Sequence, residues 1–197
     1  MNIEQTAAAL ATADTDTLRQ VLLDLIIKYA YVEGDFTLSS GAKSSYYINC
    51  KQVTLRAEGA LALGRLLWQR LPSDTSAVAG LTLGADPMVS AVSVVSAYEN
   101  CPIPALIIRK QPKGHGTKAY IEGPSLKSGA KIVVLEDVVT TGNSALTAVE
   151  RLRNAGYEIS QILALVDRQQ GGSELYQAKG IEFQALFSIK DLQNYSA

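Results

Sequence analysis

Four short apolar runs space out the second part of the chain: AVAGLTL (77–83), IPALIIR (103–109), KIVVLEDV (131–138) and QILALVD (161–167). Three of them lead through a turn into a helical pattern: PMVSAVSVVSAYEN, a segment that starts near Ser144 and runs through ALTAVERLRNAG, and SELYQAKG. Pro87 suits the first position of the first helix, and Gly156 suits the stop of the second. IEFQALF is read as a last strand. Strands that alternate with helices in this way dictate an α/β fold built on an open, mainly parallel sheet flanked by helices.

The N-terminal part follows another rhythm. TDTLRQVLLDLIIKYAYVEG opens on capping residues and sets Leu18, Val21, Leu22, Leu25 and Ile26 on one face at helical spacing, which predicts an amphipathic helix. In FTLSSGAKSSYYINCKQVT two β-prone segments flank a turn-forming SSGAKSS, the pattern of a hairpin. RAEGALALGRLLWQRL returns to helix. A chain of 197 residues, 47% of them hydrophobic, supports one well-filled core, so we expect one domain over 1–197 with a small N-terminal appendage.

Formal net charge is -1, which gives no global pull toward nucleic acid or an anionic membrane. The opening MNIEQTAAALATADTDT lacks a basic start followed by an apolar stretch, and no run of about 18 apolar residues suggests a membrane span. Cys50 and Cys101 are too few and too far apart for a metal knuckle and are read as reduced thiols. A cytoplasmic protein is expected.

Ligands in open parallel sheets bind beyond the carboxyl ends of the strands. GADP, RKQPKGHGTKAY, EDVVTTGNS and DRQQGG all leave strand ends on that edge and so share one candidate cleft. In TTGNS, Gly142 permits a tight turn, Thr140, Thr141 and Ser144 offer hydroxyls, and the following helix aims free backbone N–H groups at the turn, which suits a phosphate. Alone, TTGNS is equally an ordinary capped turn. Glu136 and Asp137 tip the balance. Adjacent strand residues point to opposite faces, so the pair is not one solvated face. Beside a phosphate, two acids belong on neutral hydroxyls or on a metal, and a phosphorylated ribose supplies the hydroxyls.

RKQPKGHGTKAY places Arg109, Lys110, Lys113, His115 and Lys118 within ten positions, broken by Pro112, Gly114 and Gly116. Such a run is commonly a solvated loop; in a chain of nearly neutral charge it is also a concentrated positive field suited to a diphosphate.

VVLEDVVTTGNSA resembles the phosphoribosyl diphosphate motif of type I phosphoribosyltransferases. RKQPKGHG resembles the mobile catalytic loop of the orotate phosphoribosyltransferases within that family, FTLSSGAKSSYYINC their N-terminal substrate hood, and VDRQQGG the segment whose arginine binds the orotate carboxylate. The resemblance runs in order from about residue 36 to 172. It implies a type I phosphoribosyltransferase fold, with a hood over about 1–55 and a core over about 56–190. It further implies Mg²⁺-dependent transfer of the 5-phosphoribosyl group from 5-phosphoribosyl 1-diphosphate to orotate, giving orotidine 5′-monophosphate and diphosphate in pyrimidine biosynthesis.

Carried over by motif, Glu136 and Asp137 meet the ribose hydroxyls, while Val138, Val139, Thr140, Thr141, Gly142, Asn143 and Ser144 wrap the 5′-phosphate. Arg109, Lys110, Lys113 and His115 meet the diphosphate. Thr140 and Arg168 meet orotate, with Tyr47 and Ile48 in the hood, where ordinary core packing explains the last two equally well. Lys110, Lys113, His115 and Asp137 form the implied catalytic set. A homodimer that shares the basic loop across its interface is implied as well. Ser39 and Gly84 stand where some members carry lysine, and Asp86 in GLTLGADP is expected to hold Mg²⁺ through water. Two alternatives remain: transfer to another base, which would not call for Arg168, and a non-catalytic sensor of phosphoribosyl diphosphate that binds nucleic acid, which would call for a basic face.

Overall fold

A computed structural model describes residues 7–37, 41, 43–112 and 120–195. The expectations placed on Ser39, Lys113, His115 and Lys118 lie outside these residues.

Helix α1 (Ala7–Thr12) precedes α2 (Thr15–Leu25), whose first turn is capped by the Asp14 carboxylate accepting from the Thr17 N–H at 2.7 Å. Leu18, Leu22 and Leu25 of α2 are buried, as is Ile26 in the π-helical turn Ile26–Ala30 that continues it, whereas Val21 is only half-buried. The helix does not extend to Gly34. Strand β1 (Tyr31–Thr37) takes over at Tyr31 and pairs antiparallel with β2 (Lys43–Ile48), in register Tyr31 with Ile48 and Val32 with Tyr47. The expected hairpin is present, then, but its first strand begins five residues before the FTL segment. Pairing with β2 overrides the helical pattern there, and Gly34 at φ +154° takes a conformation no helix offers.

A short α3 (Lys51–Thr54) and α4 (Ala57–Trp68) lead into the main sheet: β3 (Ala77–Leu81), α5 (Asp86–Tyr98), β4 (Ala105–Ile108), β5 (Ile121–Glu122), β6 (Lys131–Val139), α6 (Asn143–Asn154), β7 (Glu158–Asp167), α7 (Gly172–Ala178) and β8 (Glu182–Ser188), with α8 (Ile189–Gln193) closing the chain. Strand order is β5-β4-β3-β6-β7-β8, all parallel except β5, a two-residue strand antiparallel to β4 that the sequence pattern did not announce.

Alternation along the central strands feeds two cores. Val78, Val133, Leu135 and Leu163 pack toward α2, α4 and α5. Ala77, Ala79, Ile132, Val134 and Ile162 pack toward Ala148 and Leu152 of α6. Both faces are covered, which is why these strands read as unbroken apolar runs.

The topology also fixes the crevice. From β3 the chain goes outward to β4 on one side and returns as β6 on the other, so the order reverses between β3 and β6. β6 pairs with β3 up to Leu135 opposite Gly80, yet stays paired with β7 as far as Val139 opposite Asp167. The last residues of β6 thus present an edge that β3 has already left. Glu136 and Asp137 sit on that edge, inside the strand and not at its end.

Candidate active site

Turn Thr140–Gly142 joins β6 to α6. Gly142 is the N-cap at φ +85°, ψ -5°, a left-handed conformation that leaves the first amides of α6 facing the turn. Glu136, Val138, Thr140, Gly142, Ser144 and Tyr176 line a hollow with about 290 Å³ of empty space here. Tyr176, buried on α7, was not singled out from the sequence; its hydroxyl donates to the Gly142 carbonyl at 3.1 Å. A methyl group at 142 would lie 2.9 Å from the Tyr176 ring, on a backbone already strained for any L side chain. Gly142→Ala is therefore expected to cost about 2 kcal/mol of stability, read as a lowered denaturant midpoint, and to weaken phosphoribosyl diphosphate binding.

The two acids address opposite faces. Glu136 lies on the α6 side, buried, with Oε2 unpartnered among the described residues. Burial, and then the neighbouring negative charge of Asp137, push its carboxyl well above the ordinary range, while Lys110 pulls the other way. Asp137 is half-buried on the α5 side, and one of its oxygens accepts from the Val138 N–H at 3.0 Å. Its carboxylate packs on the β3–α5 loop so closely that a Cβ at Gly84 would come within 2.5 Å of it. At the start of α5 one Asp86 oxygen accepts from the Thr82 hydroxyl at 2.8 Å, and the other is buried without a partner among the described residues. Two orphaned carboxylate oxygens in one crevice are costly unless a ligand takes them up.

Across the crevice, β4 delivers Arg109 and Lys110. Lys110 is exposed and shares a cleft of about 500 Å³ with Asn143, Ser144 and Thr147 of α6. Arg109 is turned away: its guanidinium pairs with Glu122 of β5 at 3.0 Å. The structure thus brings Lys110, and not the Arg109 side chain, to the cleft beside the start of α6.

Arg168 follows β7, and its N–H donates to the Val139 carbonyl at 2.9 Å, which anchors it beside the phosphate turn. Its side chain is buried; Nε donates to the Tyr46 hydroxyl and Nη2 to the Ser44 hydroxyl, each at 3.1 Å, and the guanidinium lies 4.6 Å from the Tyr46 ring centroid. Tyr47 points the other way, 47% exposed, against Phe36. Tyr46 and Ser44 are the hood residues that reach Arg168. The strand period could have found them, because in KSSYYI residues 44, 46 and 48 share one face and 45 and 47 the other.

Residues 57–186 match the model of the phosphoribosyl transferase domain. Orotate phosphoribosyltransferase from Nostoc sp. is 71% identical over 93% of this chain and 89% of its own length, and the enzyme of that name from Synechocystis sp. is 68% identical over 95% of each. The crystal structure of Mycobacterium tuberculosis orotate phosphoribosyltransferase in complex with 5-phospho-alpha-D-ribosyl 1-diphosphate superposes with a TM-score of 0.75 at 34% identity, covering 89% of this chain and 99% of that one. A reversed strand order that sets two acids and a glycine turn at one crevice, together with these likenesses, means that the chain belongs to the phosphoribosyl transferase domain family, among the orotate phosphoribosyltransferases.

Proposed function

We propose that this chain transfers the 5-phosphoribosyl group from 5-phosphoribosyl 1-diphosphate to orotate, with Mg²⁺, as a step of pyrimidine biosynthesis. The observation that carries the choice of orotate is a buried, preorganised guanidinium at Arg168, next to a phosphate turn and two acids. A planar fork binds a carboxylate through both oxygens, and a neutral purine would leave its charge without a counter-ion.

The C1′–oxygen bond breaks with its electron pair going to diphosphate, and a ring nitrogen of orotate, having given up its proton to water, bonds to C1′. Backbone amides at Thr140 to Ser144 hold the 5′-phosphate. Glu136 and Asp137 hold the ribose hydroxyls, and their negative charge favours the electron-poor ribosyl centre. Lys110, with Lys113 and His115, neutralises the departing diphosphate and supplies protons to it. Arg109 joins them by exchanging Glu122 for diphosphate oxygens. Thr140 and Arg168 seat the base.

Mg²⁺ keeps much of its water and asks for one or two carboxylates plus substrate oxygens. That fits this crevice: among the described residues no group of three or more His, Cys, Asp or Glu forms a metal cage, while Asp86 offers an unpartnered oxygen. Asp86 would hold the ion through water. The ion, when bound, adds positive charge at the diphosphate.

The proposal takes residues 1–197 as one unit, hood and core together, acting as a homodimer in the cytoplasm without nucleic acid or membrane. Exposed Leu55 and Val94, 72% and 58% accessible along one apolar groove between α4 and α5, support a second copy as partner. Among the described residues no helix is long and apolar enough to cross a membrane.

The test mixes protein and phosphoribosyl diphosphate with orotate, uracil, adenine or hypoxanthine and follows base consumption. Orotate alone is expected to disappear, and only with Mg²⁺; chelation should stop it. Consumption of another base in place of orotate would overturn the proposal.

A further inference from the structure

We infer that Arg151 is a positioning residue, setting Lys110 over the phosphate turn through the main chain; this rests on the role proposed above for Lys110. Residues 143, 147 and 151 stand four apart on α6, so Asn143, Thr147 and Arg151 share one face, and that face borders the cleft containing Lys110. Arg151 donates from Nη1 to the Arg109 carbonyl and from Nη2 to the Lys110 carbonyl at 3.2 Å. Its guanidinium also lies 4.1 Å from the Tyr120 ring centroid. Tyr120 is bound to the same stem, since its carbonyl accepts from the Arg109 N–H at 2.8 Å. One planar cation thus clasps both backbone stretches, 109–110 and 120, that frame the basic segment. The helix providing it also begins at the phosphate turn.

An arginine in the last turns of a helix ordinarily favours the helix dipole or caps nearby carbonyls. Arg153, on the same helix, reaches the strand that follows, donating to the Ile159 carbonyl of β7 at 2.8 Å. The contacts of Arg151 go to the end of β4, at the two carbonyls that lead into the basic segment. A fixed helix therefore transmits one register from the 5′-phosphate to the cation that meets the diphosphate. Misplacing a reacting-group partner by about 1 Å can cost on the order of 100-fold in rate.

The test is a double-mutant cycle on the full chain. Arg151→Gln is expected to lower kcat ~10-fold with orotate KM within about twofold, and Arg151→Lys, which lacks the fork, to recover little of it. In a Lys110→Ala background, Arg151→Gln should change kcat by less than about twofold, because its route of action is gone. A merely structural role would instead give independent losses that multiply. Should the glutamine variant not accumulate as folded protein, Arg151→Lys carries the same cycle. Multiplying losses, or an Arg151 variant with parental kcat, would overturn this inference alone; a Lys110→Ala variant with parental kcat would overturn the role of Lys110 and the inference together.

Discussion

Asp137→Asn is expected to lower kcat by ~10²–10³-fold while leaving orotate KM within about twofold, measured in steady state with both substrates varied. The side chain sits where β3 has left β6, packed on the β3–α5 loop. Asparagine keeps the oxygen that accepts from the Val138 N–H, so local geometry is preserved and only the charge is lost. Bond breaking at C1′ builds positive character on the ribosyl carbon, and a fixed anion nearby is stronger there than in the ground state. An unchanged kcat would show that the charge of Asp137 is not used in the transition state.

Stability separates lost chemistry from lost fold. The folded-state pKa of Glu136 lies well above its ordinary 4.5, first through burial and second through Asp137. A carboxyl raised on folding favours the native state while protonated. That contribution is full below the unfolded pKa and is lost as pH rises through the folded one. Removing the Asp137 charge relieves the second cause, so the variant should be at least as stable as the parent above neutral pH. Glu136, buried beside the charge of Asp137, destabilises the free enzyme when ionised, as expected where binding groups are kept ready for a ligand.

Legibility from sequence divides along one physical line. Central strands were visible because burial on both faces leaves an unbroken apolar run, and the crevice followed from strand order once the sheet was read as parallel. The acid pair and the phosphate turn were visible because both break that run locally. Features made by distant contacts were not. β5 is two residues paired with β4, Tyr31 enters a strand because β2 pairs with it, and Tyr176 reaches Gly142 from another helix. The pairing of Arg109 with Glu122 is likewise tertiary, and it turns one expected phosphate-side cation away. The alternation in KSSYYI points Tyr46 inward, and its burial makes it the tyrosine that meets Arg168, while Tyr47 stays exposed on the other face.

Arg168→Gln is expected to raise orotate KM about 100-fold, equal to roughly 2.7 kcal/mol, with phosphoribosyl diphosphate KM within about twofold. The size follows from two charge-assisted hydrogen bonds lost from a site that is shielded from water. Ser44 and Tyr46 hold the guanidinium in place before any base arrives, so little ordering cost remains to be met on binding. Tyr46→Phe should therefore weaken orotate by only about fivefold, since it removes one acceptor and keeps the ring beneath the cation. Arg168→Lys should fall near the glutamine variant, because a single ammonium cannot match both carboxylate oxygens and also reach both hydroxyls. If Arg168→Gln kept the parental orotate KM, the base would have to be seated elsewhere in the crevice. The hood would then be holding the arginine for the fold alone, and Tyr46→Phe would lower the melting temperature without touching orotate.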